Sequence, residues 1–359
     1  MTGPDAGIYE FYDRLKKSGV DLKDLEVFDI GDDYDYLRRL YHRRPEGMYI
    51  EASPGYAEVT LTDLGLQECK IASTPEPPGD RNIMGIDGDD LLVGDEKALY
   101  AKCGMRMLFL TQDRDDIIHA VRRISTKVSQ PNKESMARLK RLGRYLAGKR
   151  RMCFLLPVEG QLDELVGYSD SDWAQNPETR KSVSCGLFML GGCRQGGYAR
   201  GQDVLATSSG MAEFFGAGSL MNEGIGICQV YKELGHELSF VIRLDSSAAI
   251  GMCQRRGAGK IRHLDIRYLH AQDCLRDGRV TAIEKVAGEL NIADIGTKVL
   301  AKDRLEYLVD LLGYVNYDEQ GQMVSVVQAP TQIVNERKEA EAIARVVRGL
   351  IEVMTRKIA

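Results

Sequence analysis

GYSDSDWAQNPETRKSVSCGLFMLGG, residues 167–192, is where the chain first commits to a pattern. Apolar and polar residues alternate through VGYSDSDW (166–173) and again through SCGLFMLGG (184–192), which is the period of a half-buried strand. Between them QNPETRKS supplies turn residues, and after GCRQGG a third such run, YARGQDVLATSS (198–209), completes an antiparallel meander. Working outward, the pattern predicts a long helix over 209–234 and a strand SFVIRLD (239–245). Helices over 246–254 and 261–276, a strand RVTAIEKV (279–286) and a helix beginning near Glu289 follow. Five strands interleaved with helices imply an α/β domain with a mixed five-stranded sheet flanked by helices.

Four carboxylates sit at the joints of this pattern. Asp170 ends the first strand on the face of Val166 and Tyr168, with Asp172 one step further along it. Glu213 lies in the first turn of the long helix, on the stripe Ala217, Leu220, Gly224, Ile227 and Tyr231 that should meet the sheet, where an unpaired carboxylate is costly. Asp245 closes the fourth strand, and Asp294 sits in the first turns of the last helix. Taken alone, Asp245 reads as a helix N-cap and Asp294 as helix-dipole compensation. Taken together, the four can converge at the carboxyl edge of one sheet. Carboxylates so placed can share two divalent cations about 3.5–4 Å apart, the arrangement that activates water for phosphodiester hydrolysis. Hard oxygen ligands without a His/Cys cluster favour magnesium, with manganese as a substitute.

Upstream, STPEPPGDRNIMGIDGDD (73–90) breaks the chain. Before it, YIEASPGYAEVTLTDLGL reads as a strand then a helix; after it, helices are expected over 96–110, 114–128 and 133–147. The last carries Met136, Leu139, Leu142, Gly143 and Leu146 on one stripe and Arg138, Lys140, Arg141 and Arg144 opposite. A second basic cluster comprises Arg255, Arg256, Lys260, Arg262 and Arg267. The divisions are therefore 1–150, a mostly helical region; 160–315, the α/β domain; and 320–359, a linker and an amphipathic C-terminal helix. That helix suits docking, oligomerisation or packing on its own core.

With 359 residues and 43% hydrophobic residues the chain can fill two cores. Its net charge of −5 gives no global attraction to nucleic acid, so the clumped basic residues must supply any. No apolar run long enough for a membrane span and no secretory leader occur, which predicts an intracellular protein, cytoplasmic or nuclear, without a membrane partner. Eight cysteines without a C-x-x-C pair read as reduced structural thiols.

Motif by motif, GYSDSDWAQNPETRKSVSCGLFMLGG, ATSSGMAEFFGAG, RLDSSAAIGM, KIRHLDIRY and ELNIADIGTKVL resemble the ribonuclease H domain of copia-type retrotransposon Pol polyproteins. YIEASPGYAEVTLTDLGLQECKIASTP, KALYAKCGMRMLFLTQDRDDIIHAVRRIS and KRLGRYLAGKR resemble the segment that joins the reverse transcriptase of those elements to it. The resemblance implies a ribonuclease H-like fold after a truncated reverse-transcriptase thumb or connection region. It implies a two-metal endonuclease acting on RNA–DNA hybrids, with Asp170, Glu213, Asp245 and Asp294 as catalytic metal ligands. Arg262, His263, Arg267, Arg141 and Arg144 are the expected nucleic-acid contacts, and the remainder of a reverse-transcriptase polyprotein is an expected partner. The family's paired polymerase aspartates would precede residue 1, so polymerase activity is not expected. The other reading is a non-catalytic nucleic-acid-binding or interaction module left from a truncated polyprotein.

Several features stand apart from that pattern. Gly31-Asp32-Asp33 spells a polymerase-like triplet out of context, and Asp87, Asp89 and Asp90 lack the closing glutamate of a calcium loop. Met211 and Tyr198 replace residues usual in the family. No histidine lies between Val280 and Ile292, leaving His263 or His270 as the nearest proton-transfer candidates.

Overall fold

The computed structural model describes residues 5–77, 90–157, 163–176, 179–257, 269–317 and 323–325. The C-terminal helix expected beyond residue 330 lies outside these, as do Lys260, Arg262, His263 and Arg267.

The upstream region opens with α1 (Asp5–Lys17) and an antiparallel run of β1 (Asp33–Tyr36), β2 (Arg39–Arg44) and β3 (Gly47–Ala52). Helices α2 (Pro54–Asp63), α3 (Gly94–Leu110), α4 (Ile118–Thr126) and α5 (Lys133–Gly148) follow, as the apolar spacing predicts. The helix expected from Arg114 starts with a 3-10 turn, Asp115–Ile117. α5 begins where it should because Asn132 and Ser135 form a reciprocal capping box.

β4 (Met152–Pro157) then pairs with β3, and β10 (Tyr314–Tyr317) pairs with β4 on its far side. β11 (Met323–Ser325) adds to β10, inside the stretch expected to be linker. The upstream helices thus come with a six-stranded antiparallel sheet that borrows its last strands from the chain's far end. Of its strands only β3 was expected, as the strand that opens YIEASPGYAEVTLTDLGL. DYDY and RLYHRR show no apolar alternation, and strand partners more than 150 residues apart leave no local signal.

The second sheet has the predicted five strands: β5 (Glu164–Asp172), β6 (Val183–Leu190), β7 (Cys193–Gly201), β8 (Ser239–Leu244) and β9 (Ala282–Lys285). Their order is β7-β6-β5-β8-β9, with β5, β6 and β7 antiparallel and β5, β8 and β9 parallel. The third strand differs from expectation: GCRQGG is no separator, because Gly191 and Gly192, both at positive φ, make the turn and β7 begins at Cys193. Helices α6 (Ser209–Glu233), α7 (Ser247–Gln254) and α8 (His270–Arg276) match the predicted segments over the described residues. The helix expected from Glu289 is instead a 3-10 turn at Gly288–Leu290, a short α9 (Asp294–Thr297) and, after a break, α10 (Lys302–Leu311).

α6 lies across β5, β6 and β8, and its glycines explain how it can. A Cβ at Gly224 would overlap the Phe240 ring and one at Gly216 would meet the hydroxyls of Ser169, Ser171 and Ser184, so the helix backbone rests directly on the sheet. The sheet divides two cores. Phe188 and Leu190 join Leu165, Phe214, Leu220 and Phe240 under α6. Cys185 and Leu187 face the other way, into a core shared with Tyr100, Leu139, Leu142, Tyr314, Ile292 and Ile295. That second core runs without a break from the upstream helices to α9.

Candidate metal centre

Parallel pairing places the first two acids. Ser169 pairs with Leu244, so the next residues, Asp170 and Asp245, stand side by side where β5 and β8 end. Asp245 is not the cap of α7; Ser246 is, its side chain accepting from Ala249 N. Asp294 reaches the same edge through Asn291, whose Nδ2 donates to Ser169 O at 3.0 Å while its Oδ1 accepts from Ala293 N. Oxygens of Asp170, Asp245 and Asp294 all lie within 4.8 Å of one another.

Glu213, on α6, is not one of these three but lies near enough to Asp170 and Asp245 to feel their charge. Gln202 ties the start of α6 to the sheet, its Nε2 donating to Ala212 O at 2.7 Å and to Ser184 Oγ at 2.8 Å. The buried Glu213 carboxylate takes a hydrogen bond from the Ser171 backbone, and its Oε2 has no hydrogen-bond partner. Burial, with Asp170 and Asp245 adding like charge, pushes its pKa up to about 9. Burial likewise raises Asp170, though Lys298 and the Thr297 hydroxyl pull in the opposite direction.

Two cations and one hydroxyl hold the carboxylates of Asp170 and Asp294. Lys298 Nζ lies 3.3 Å from Asp170 Oδ1 and also bonds Asp294 Oδ1. Arg304 Nη2 lies 2.9 Å from Asp294 Oδ2, and Thr297 Oγ1 donates to Asp170 Oδ2. Burial would lower the Lys298 pKa, but Asp170 and Asp294 raise it.

The upstream region reaches this edge as well. Gln175 presents Nε2 to Asp172 Oδ2 at 2.9 Å, to Thr297 O at 2.8 Å and to His119 Nε2 at 3.1 Å. Two amide hydrogens cannot fully satisfy three acceptors, so one bond is shared. His119 in turn bonds Glu76, and Arg122 donates to Gln175 Oε1. A line of polar contacts thus joins the 73–77 segment to the residues flanking Asp170.

The sequence anticipated the four acids but not Lys298, Arg304, Thr297, Gln175 or Gln202. The i,i+4 spacing of Asp294 and Lys298 within ELNIADIGTKVL was a usable signal for one of them. Arg141 and Arg144 lie on α5, where Arg141 Nη2 donates to Thr74 Oγ1 at 3.0 Å, and the Nε of each is buried without a hydrogen-bond partner. Of the two histidines considered for proton transfer, His270 Nε2 lies 3.4 Å from Cys274 Sγ. Gly31-Asp32-Asp33 leads into β1, where Asp33 pairs with His42 and Arg44.

The second sheet is thus an antiparallel meander followed by two parallel strands, the mixed five-stranded sheet expected, with three acids gathered where β5 and β8 lie side by side. By sequence the chain is related to the Pol polyproteins of copia-type retrotransposons. It is 30% identical over 322 residues to the retrovirus-related Pol polyprotein of transposon TNT 1-94 from Nicotiana tabacum, covering 87% of this chain and 23% of that one. It is 28% identical over 274 residues to that of transposon RE1 from Arabidopsis thaliana, covering 76% of this chain and 18% of the other. The chain therefore spans about a quarter of these relatives or less. The N-terminal RNase H domain of a Mycobacterium tuberculosis protein, solved as a maltose-binding-protein fusion, overlays 41% of this chain and 97% of its own at 16% identity and a TM-score of 0.28. No family model matches the chain.

Proposed function

We propose that this chain is a ribonuclease H-type endonuclease that hydrolyses the RNA strand of RNA–DNA hybrids. Asp170, Glu213, Asp245 and Asp294 would hold two divalent cations, magnesium or manganese. The observation that carries this is the meeting of three carboxylates within 4.8 Å, with a fourth, Glu213, buried beside them and keeping one oxygen unpartnered. An all-oxygen donor set with an orphaned buried carboxylate oxygen fits a hard cation. When bound, such ions activate the attacking water and stabilise the leaving oxygen.

The chain's own residues do the rest. The strand ends of β5 and β8 fix Asp170 and Asp245 in register. Gln202 and Asn291 hold the first turn of α6 and the approach to α9 against the sheet. Arg141 and Arg144, with Arg262, His263 and Arg267, would contact phosphates, giving salt-dependent and shape-directed binding of hybrid. Residues 1–150 would serve as a thumb or connection-like region and 160–315 as the nuclease, working beside the remainder of a polyprotein. Among the described residues no helix is long and apolar enough to cross a membrane.

The test is magnesium-dependent cleavage of a labelled RNA–DNA hybrid by the full chain and by Asp245→Asn. The expected result is cleavage by the first and at least a hundredfold loss in the second; equal rates would contradict the assignment. A second reading, a module that binds nucleic acid without cutting it, draws support from Lys298 and Arg304, which already balance part of the acidic charge. It predicts hybrid binding without turnover at any metal concentration.

A further inference from the structure

Lys298 bridges two of the clustered acids. One ammonium addresses Asp170 Oδ1 at 3.3 Å and Asp294 Oδ1 together, and these acids belong to the cluster whose oxygens lie within 4.8 Å. The other oxygens of the same two acids are taken by Thr297 and Arg304. The Lys298 contacts therefore fall on the atoms through which both acids would ligate an ion.

The two cations differ in how they are anchored. Arg304 also donates to the carbonyls of Gly288 and Glu289, and its side chain is 25% exposed. The Lys298 side chain is 45% exposed, while those of Asp170 and Asp294 are 3% and 10%. Its stem runs in from solvent and its head can withdraw along the same path, as a flexible ammonium does more readily than a forked guanidinium.

Resting on the metal-centre reading above, we propose that Lys298 is a built-in competitor for the divalent ion. Its ammonium holds Asp170 and Asp294 together until a cation displaces it, and so sets the affinity of the centre. Two like-charged species cannot share these oxygens at close range in a partly buried site, so one must leave as the other enters. The displaced ammonium is free for the nearest anion, the backbone of a bound hybrid. Nucleic acid and metal then favour each other's binding, because each gives Lys298 reason to leave the carboxylates.

Calorimetric titration of the full chain with Mn2+, without nucleic acid, tests this. Lys298→Met is expected to bind Mn2+ about tenfold more tightly than the unchanged chain, and Lys298→Gln to behave likewise. Lys298→Arg, keeping the charge, should stay within about threefold of the unchanged chain. A non-cleavable hybrid should tighten Mn2+ binding in the unchanged chain and lose that effect in Lys298→Met. A lysine serving only to brace the acids predicts the reverse, weaker Mn2+ binding in Lys298→Met, and that result or equal affinity would overturn the proposal. If the unchanged chain takes up no Mn2+, or Asp245→Asn takes it up equally well, the metal-centre reading fails first and this inference with it.

Discussion

Two buried clusters of charge in this molecule have opposite balance. At the seam between the upstream helices and the second sheet, Arg114 forks onto Asp116 at 2.8 and 2.7 Å, and Tyr145 donates to the same carboxylate. Beside it Arg194 grips Asp115, with Tyr314 completing the shell. Burial alone would raise Asp116, yet Arg114 outweighs it and the carboxyl ends below its ordinary value. At the sheet edge, four acids face one lysine and one arginine, and burial wins at Glu213 and Asp170. A buried carboxylate matched by its own arginine is a closed pair; one left short of positive charge is, on the function proposed above, the place for a divalent cation.

Removing a carboxylate from the balanced cluster should therefore cost most. Asp116→Ala leaves Arg114 buried without its partner and is expected to destabilise the chain by about 3–5 kcal/mol, read from urea unfolding. A loss under about 1 kcal/mol would mean that the seam is not the closed pair described.

The opposite sign is expected at the other cluster. Glu213→Gln removes a group whose folded pKa, about 9, lies above its ordinary 4.5. Such a group contributes stability below pH 4.5 that is lost as pH rises toward 9, because the buried form resists ionising. In chelator at pH 8 the variant should be more stable by about 1–3 kcal/mol and should flatten the decline in melting temperature over that window. It should also abolish cleavage. A destabilised Glu213→Gln would erase the contrast between the clusters.

Packing offers a comparison free of charge. Gly224→Ala pushes a methyl into Phe240 and should cost about 1–3 kcal/mol, whereas Gly226→Ala meets open space and should be neutral or slightly stabilising. The smallest expected effect lies upstream. Arg141→Ala and Arg144→Ala should each weaken hybrid binding modestly and reduce the salt slope of log affinity by about 0.9, with the metal affinity unchanged.

The same contrast explains what the sequence could tell. The second sheet was legible because β5 and β6 run nine and eight residues with a turn-rich segment between them, which fixes the meander. The three acids that meet were legible as a set, since Asp170 lies near the end of β5, Asp245 just after β8 and Asp294 at the start of α9. The upstream sheet was legible only at β3, because β1 and β2 are short and polar and the pairing that closes the sheet joins residues 152–154 to 314–316. Lys298 and Gln175 were missed for a related reason. Their meaning lies in what they touch across the fold, and Gln175 sits in a stretch that reads only as a turn. The broken helix after Glu289 follows the demands of the site, since Asn291 leaves helical geometry to bond Ser169 O and bring Asp294 to the sheet edge.

The most direct measurement is the anomalous scattering of a crystal of this chain soaked in Mn2+. The account predicts two peaks about 3.5–4 Å apart among Asp170, Glu213, Asp245 and Asp294, with the Lys298 ammonium moved off the carboxylates. Density showing no peak among the four acids, with Lys298 still bridging Asp170 and Asp294, would contradict it.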